Sequence, residues 1–295
     1  MLDEIRAAAA RISDTARYVR IQLDRLADYA ASLPLEQARL DPAVHYIGEP
    51  DATLTYVLTL DAINFGSGYF PWLNKQPGMS GYFTVASRLK DLFEQRVPTA
   101  ADLTRLGPEE CARIFGQTSD GPAGELMGLF ARALNDLGEL VRTRYNGSFR
   151  ALANAGSAER LLERLVEMPF YRDVPFYKRA QLTAADLSTA GVVQLDGLER
   201  LTIFADNLVP HVLRLDEVLV YDPSLVARIQ REELIPAGSR EELEIRGCAL
   251  HAVELLVGHR NHTVTPMQLD YLLWNRGQDA HYKAVPRHRT RSVFY

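Results

Sequence analysis

The feature that most limits what this chain can fold into is a helical hydrophobic period that recurs along most of its length. From Leu2 to Leu33, apolar residues at Ile5, Ile12, Val19, Leu23, Leu26 and Ala30 return at spacings of three, four and seven, the stripe of one amphipathic helix that Pro34 ends. Start signals repeat the pattern further on. Thr99 precedes an acidic turn, Pro108 stands where a first helical turn accepts proline, Ser157 precedes Glu159 and Glu163, and Thr265-Pro266 pairs a cap with a first-turn proline. Helices are expected over 82–96, 124–144, 157–168, 176–188, 239–257 and 265–275, about ten in all. Leu54–Phe65 fits a helix or a strand, and the glycines and prolines of 65–81 mark a structured loop. Strand signals are confined to 191–195 and 202–204. The expected fold is mainly α, compact, with few short strands. Residues 1–295 are read as a single domain with room for two lobes around a cleft.

A chain of 295 residues that is 47% hydrophobic buries enough surface to need neither disulfides nor a structural metal. Cys111 and Cys248 form no CxxC pair and are read as buried free thiols in a reducing compartment. The N-terminus lacks the basic start and apolar core of a signal peptide, and no run approaches the ~20 apolar residues of a membrane span, so a cytoplasmic protein without a membrane partner is expected. A net charge of -5 argues against a dedicated duplex-DNA binder and leaves room for a small basic pocket for one phosphate. His259 and His262 have no third ligand nearby, and no Gly-x-Ser-x-Gly, His-Glu-x-x-His or EF-hand spacing is present; no metal or cofactor is expected.

Six segments are candidates for chemistry. Asp206 follows an apolar stretch and precedes Pro210, which suits either a helix cap or a carboxylate that stabilises developing positive charge or activates water. Phe204, two residues earlier, is either core or a stacking surface for a base. His45-Tyr46 sits in a loop, as a capping group or a ligand donor. Lys178 and Arg179 stand beside aromatic residues at a helix start, solvated or placed for an anion. Asp270 and Trp274 share one helix face, as core and cap or as a seat for a flat cationic group. The glycines of Asn64–Pro71 match neither a dinucleotide fingerprint nor a Walker loop. The basic tail 286–295 ends in Val-Phe-Tyr, which anchors it if the fold accepts those side chains.

Taken in order, these segments resemble one family. His45-Tyr46, Leu60–Phe65 running into Gly66–Pro71, Arg144–Phe149, Phe170–Asp173, Phe176–Gln181, Phe204-Ala-Asp206, Glu244–Cys248, Leu269–Trp274 and Arg289–Tyr295 are similar to the motifs of the queuosine salvage family, from about residue 40 to the end. The resemblance implies a fold like that of the helix-hairpin-helix DNA glycosylases. It implies a cytosolic hydrolase that cleaves the N-glycosidic bond of queuosine 5'-monophosphate and releases queuine for reinsertion into tRNA. Such an enzyme is expected to work as a monomer, without cofactor or stable nucleic-acid partner. By the same resemblance Asp206 matches the catalytic carboxylate and Phe204 the aromatic before it, while His45, Asp270 and Tyr271 match ligand-holding positions with Trp274 and Asn275 close by. Lys178, Arg179 and the tail arginines are candidates for the 5'-phosphate on charge alone. Many relatives read Asp-Tyr-Arg-Val-Pro where this chain reads Asp-Asn-Leu-Val-Pro, so Asn207 and Leu208 replace two residues of that pattern. Two other readings are a glycosylase acting on DNA, for which neither a Gly-rich hairpin nor a basic face is present, and a nucleotide-binding protein without catalysis.

Overall fold

The computed structural model describes residues 1–34 and 38–295. In chain order the helices are α1 (Leu2–Asp14), α2 (Leu26–Ser32), α3 (Pro50–Ala62), α4 (Gly81–Gln95), α5 (Ala100–Leu103), α6 (Pro108–Phe115), α7 (Gly121–Arg144), α8 (Phe149–Ala153), α9 (Ala158–Leu165), α10 (Lys178–Thr189), α11 (Val209–Leu215), α12 (Pro223–Gln230), α13 (Arg240–His259), α14 (Pro266–Arg276) and α15 (Ala280–Lys283). Strands β1 (Val19–Ile21) and β2 (Leu219–Tyr221) pair antiparallel, with Val19 opposite Tyr221, and form the only named sheet among the described residues. The chain divides into two compact units, each assembled from separated segments.

The first unit comprises Met1–Ala38, Val174–Lys178 and Glu199–Arg291. Its axis is α13, against which α1, α2, α11, α14 and β1 pack. Ile245, Cys248, Ala249, Leu250, Ala252, Val253 and Leu256 of α13 are fully buried, so apolar burial on several faces makes this helix a core element. Gly247 lets α1 come close, since a Cβ there would meet Ile12 Cγ2 at 2.7 Å. The expected single helix from Leu2 to Leu33 is broken. Glu244 of α13 accepts the backbone N–H groups of Arg17 at 2.9 Å, Tyr18 at 2.6 Å and Val19 at 3.3 Å, and residues 19–21 turn into β1. One buried carboxylate thus satisfies three donors that a continuous helix would have turned inward on itself.

The second unit comprises Arg39–Asp173, Arg179–Leu198 and Ser292–Tyr295. The long helix α7 is its axis, with α3, α5 and α6 against it. At Gly138 the backbone of α5 approaches so closely that a Cβ would lie 2.6 Å from the Ala100 carbonyl oxygen. Leu54–Phe65 resolves as helix: α3 is buried on nearly every side from Thr53 to Ala62, which erases its polar face. The caps read from sequence hold here and in the first unit. Thr99 and Thr265 form capping boxes, and Ser157 and Ser239 accept from the first turns of their helices. Residues 191–195 are not a strand; the helix end at Gly191, φ 69°, passes into a loop held by the Val192 N–H on the Leu187 carbonyl at 3.2 Å. Cys111 and Cys248 are buried and unpaired. Among the described residues no helix is long and apolar enough to cross a membrane.

Arg179 is a structural element of the second unit, which overturns its candidacy for a phosphate. It is 1% exposed, and its guanidinium donates to the carbonyls of Asp61 at 3.2 Å, Ala62 at 2.6 Å, Val293 at 2.8 Å, and Phe170. The rings of Phe65 and Tyr171 lie 4.8 and 4.6 Å from its central carbon. The C-terminus is held in the same unit, where the Tyr295 carbonyl accepts from Gly66 N–H at 2.9 Å and the Tyr295 side chain is buried. Replacing Arg179 with Met strands four buried carbonyls, each of which costs about 1–3 kcal/mol. Chemical denaturation of Arg179→Met is expected to show a loss of at least about 3 kcal/mol or an insoluble product; unchanged stability would contradict this role.

Candidate active site

Residues 201–206 run extended and buried through the first unit without a partner strand. The strand expected at 202–204 therefore does not form a ladder. Side chains supply the missing partners instead. Asp270 Oδ1 on α14 accepts from Phe204 N–H at 2.8 Å, and Arg246 Nε on α13 donates to the Ala205 carbonyl at 2.8 Å. Arg6 of α1 donates to the carbonyls of Arg200 and, at 3.4 Å, Leu201. Three helices thus fix the segment that ends at Asp206.

Asp206 then caps α11. Its Oδ1 accepts from Leu208 N–H at 2.8 Å and Val209 N–H at 3.1 Å, and Pro210 occupies the first turn. Among the described residues Oδ2 takes no hydrogen bond from the protein, and the side chain is partly exposed. The cap and the functional readings of Asp206 are therefore compatible: one oxygen fixes the side chain, the other stays available. Asn207 is buried and its amide reaches the His288 carbonyl at 3.5 Å, a weak bond.

Asp270 is buried beside Asp206. Burial foremost, and then the neighbouring Asp206 charge, push its pKa up to about 8; the Phe204 N–H and Lys178 act in the other direction. Burial therefore favours the protonated form of Asp270, within reach of the Asp206 charge. Lys178, also buried, begins α10 directly after Tyr177, whose φ of 49° is left-handed. Non-glycine residues in that region persist where their surroundings over-determine them.

Tyr271, Trp274 and Asn275 lie half-buried on α14, within about one and a half turns of Asp270. Phe204 is buried, at 6% exposure. Thus Phe204, Asp206, Asn207, Asp270, Tyr271, Trp274, Asn275 and Lys178 belong to the first unit, and His45 to the second. His45 is buried there, with Nε2 2.9 Å from the Tyr82 hydroxyl and Nδ1 3.2 Å from Asp41 N–H. Burial holds its pKa below the usual imidazole value, so the ring is neutral near pH 7.

Three further residues need placing: Arg246 and Tyr82 had no role in the sequence reading, and Arg287 stood there only among the tail arginines. Arg246 ties Ala205 to α13, and its signal was the i, i+4 spacing of Glu242 and Arg246 on that helix. Arg287 is half-buried between two tethered neighbours: the Pro286 carbonyl accepts from Arg214 at 2.9 Å and the His288 carbonyl from Asn207. Among the described residues Arg287 makes no hydrogen bond or ion pair; burial lowers its pKa and the Asp206 charge opposes that. Arg289, by contrast, is paired with Glu232. Tyr82, the third, has no local sequence signal that marks it as the partner of His45.

Comparison with known proteins gives the family. A family described as queuosine salvage protein matches residues 44–295, and the chain belongs to that family. A protein of Sphaerobacter thermophilus named queuosine 5'-phosphate N-glycosylase/hydrolase is 35% identical over 97% of this chain and 95% of its own length. Proteins of the same name from Mus musculus, 28% identical over 94% of this chain and 92% of its own length, and from Dictyostelium discoideum, 29% identical over 83% and 79%, are also similar.

The raised pKa of Asp270 has a consequence for stability. Its folded-state pKa lies above the ordinary 3.8, so the folded chain holds a proton that the unfolded chain releases, and this group's contribution to stability falls as pH rises from about 4 to about 8. Asp270→Asn keeps an acceptor for Phe204 N–H and removes the titration. The stability of the variant relative to wild type is expected to climb across that window and level off above pH 8 in denaturation curves. A pH-independent difference would refute the assignment.

Proposed function

We propose that this protein is an N-glycosidase that hydrolyses queuosine 5'-monophosphate and releases queuine. The observation that carries the reading is the pair of adjacent carboxyl groups held in different states, Asp206 with one oxygen fixed and one available and Asp270 kept protonated by burial, in a chain of the queuosine salvage family. Cleavage of an N-glycosidic bond passes through an oxocarbenium-like transition state, and a carboxylate oxygen beneath the sugar lowers its energy. Asp206 Oδ2 performs this role.

Asp270 holds the base. As an acid it donates to an acceptor on the base edge, and as a carboxylate it pairs with the cationic amine of the queuine side chain. Tyr271 and Trp274 offer ring surface for the flat base, with Phe204 buried behind the catalytic carboxylate and Asn207 and Asn275 as polar neighbours. His45, the other residue that the family resemblance names, lies in the second unit, neutral and hydrogen-bonded to Tyr82. Lys178 and Arg287 are the cations for the 5'-phosphate; Arg287 is favoured by its lack of a protein partner, and Arg179 is removed from that set.

The mainly helical fold and net charge of -5 support a single nucleotide as substrate, without a stable nucleic-acid partner. A cytosolic monomer with a likeness to the helix-hairpin-helix DNA glycosylases is part of the same proposal. The test is to incubate the protein with queuosine 5'-monophosphate, with the nucleoside and with damaged duplex DNA, and to measure free base. Release of queuine from the monophosphate is expected to be fastest, and Arg287→Gln is expected to erode the preference for monophosphate over nucleoside by about tenfold or more, the loss of one charge-assisted contact. Base release from DNA alone, or from none of the three, would overturn the proposal.

A further inference from the structure

We infer that Arg246 is the positioning residue of this active site, setting the place of both Asp206 and Lys178; the inference rests on the glycosidase reading above. Arg246 is 2% exposed and lies on α13. Its Nε donates to the carbonyl of Ala205, the residue before Asp206, at 2.8 Å. Its central carbon lies 4.3 Å from the ring centroid of Phe176, two residues before Lys178. Its Nη1 donates at 3.1 Å to Glu242, which is equally buried and also accepts from Gly238 N–H at 3.1 Å.

One planar side chain therefore serves as a common reference for two chain segments nearly thirty residues apart, each adjoining a site residue. The Phe176 segment reaches Lys178 through Tyr177 in its left-handed conformation, a link with little slack. Stability alone is a poor reason for such a pair, because a buried ion pair is often matched or bettered by apolar residues of the same volume. Orientation is a better one. The guanidinium fork fixes direction where an ammonium supplies a single mobile charge, and displacement of a catalytic group by about 1 Å is enough to cost on the order of 10²-fold in rate.

The experiment uses the full chain, with release of queuine from queuosine 5'-monophosphate as the assay. Arg246→Lys and the double variant Arg246→Met/Glu242→Met, which removes both charges together, are compared with wild type for kcat and KM per folded molecule. Folding is checked by thermal melting. Both variants are expected to fold, with kcat lower by about 10²-fold and KM within about threefold of wild type. In Arg246→Ala, added guanidinium ion is expected to restore part of kcat. Wild-type kcat in either folded variant overturns the positioning role, as does the absence of guanidinium rescue if the double variant does not fold. A wild-type protein inert toward the nucleotide overturns the glycosidase reading instead, so the two failures are separable.

Discussion

A buried stretch of extended backbone without a neighbouring strand has polar groups that something must satisfy, and this requirement organises the first unit. In 201–206 the partners are side chains drawn from three helices: Arg6 on α1, Arg246 on α13 and Asp270 on α14. The segment is thereby held as firmly as a strand while its end stays free of a sheet. Asp206 emerges at that end, and the first turn of α11 takes one of its oxygens. The fold leaves a single carboxylate oxygen aimed and unclaimed.

Charge follows the same economy. Asp270 satisfies Phe204 N–H from a position too buried to ionise readily: burial pushes its pKa up to about 8, while the hydrogen bond that shapes the backbone pulls the other way. Behind α11, burial first and then surrounding arginines depress His211 to about 4 and His288 to about 3, which keeps both rings neutral. Those histidines are structural: His211 donates from Nε2 to the Tyr282 carbonyl at 2.9 Å. Among the described residues Arg287, next to His288 in the chain, makes no hydrogen bond or ion pair. A net charge of -5 for the whole chain is thus compatible with a locally cationic lining around one carboxylate.

Much of this was legible in the sequence where the physics is local. Capping residues and first-turn prolines marked helix starts at 100, 108, 158 and 266 because such signals act within four residues. Partners far away in the chain decided what was misread. The period from Leu2 to Leu33 is continuous, yet Glu244 takes the N–H groups of residues 17–19 and ends the helix. Thr202–Phe204 has strand character and an extended backbone, but its bonds run to side chains. Short helices such as α8, α11 and α15 depend on packing more than on pattern.

The candidate site divides in the same way. Asp206 and Asp270 were named through ordered motifs and Lys178 on charge alone, and their mutual placement required the fold. Lys178 and Arg179 are indistinguishable in sequence, and only burial against carbonyls and rings assigns Arg179 to structure. Arg246 lay inside a recognisable motif without a role, because nothing local ties residue 246 to residue 205.

The central claim is that the available oxygen of Asp206 does the chemistry. Asp206→Asn keeps Oδ1 as the cap of α11 and replaces only the other oxygen, so the fold is preserved. The decisive measurement is single-turnover release of queuine from queuosine 5'-monophosphate by this variant beside wild type, with matched melting curves. The expected result is a loss of about 10²–10⁴-fold with an unchanged melting temperature. A folded Asp206→Asn protein that releases queuine at the wild-type rate would contradict the account.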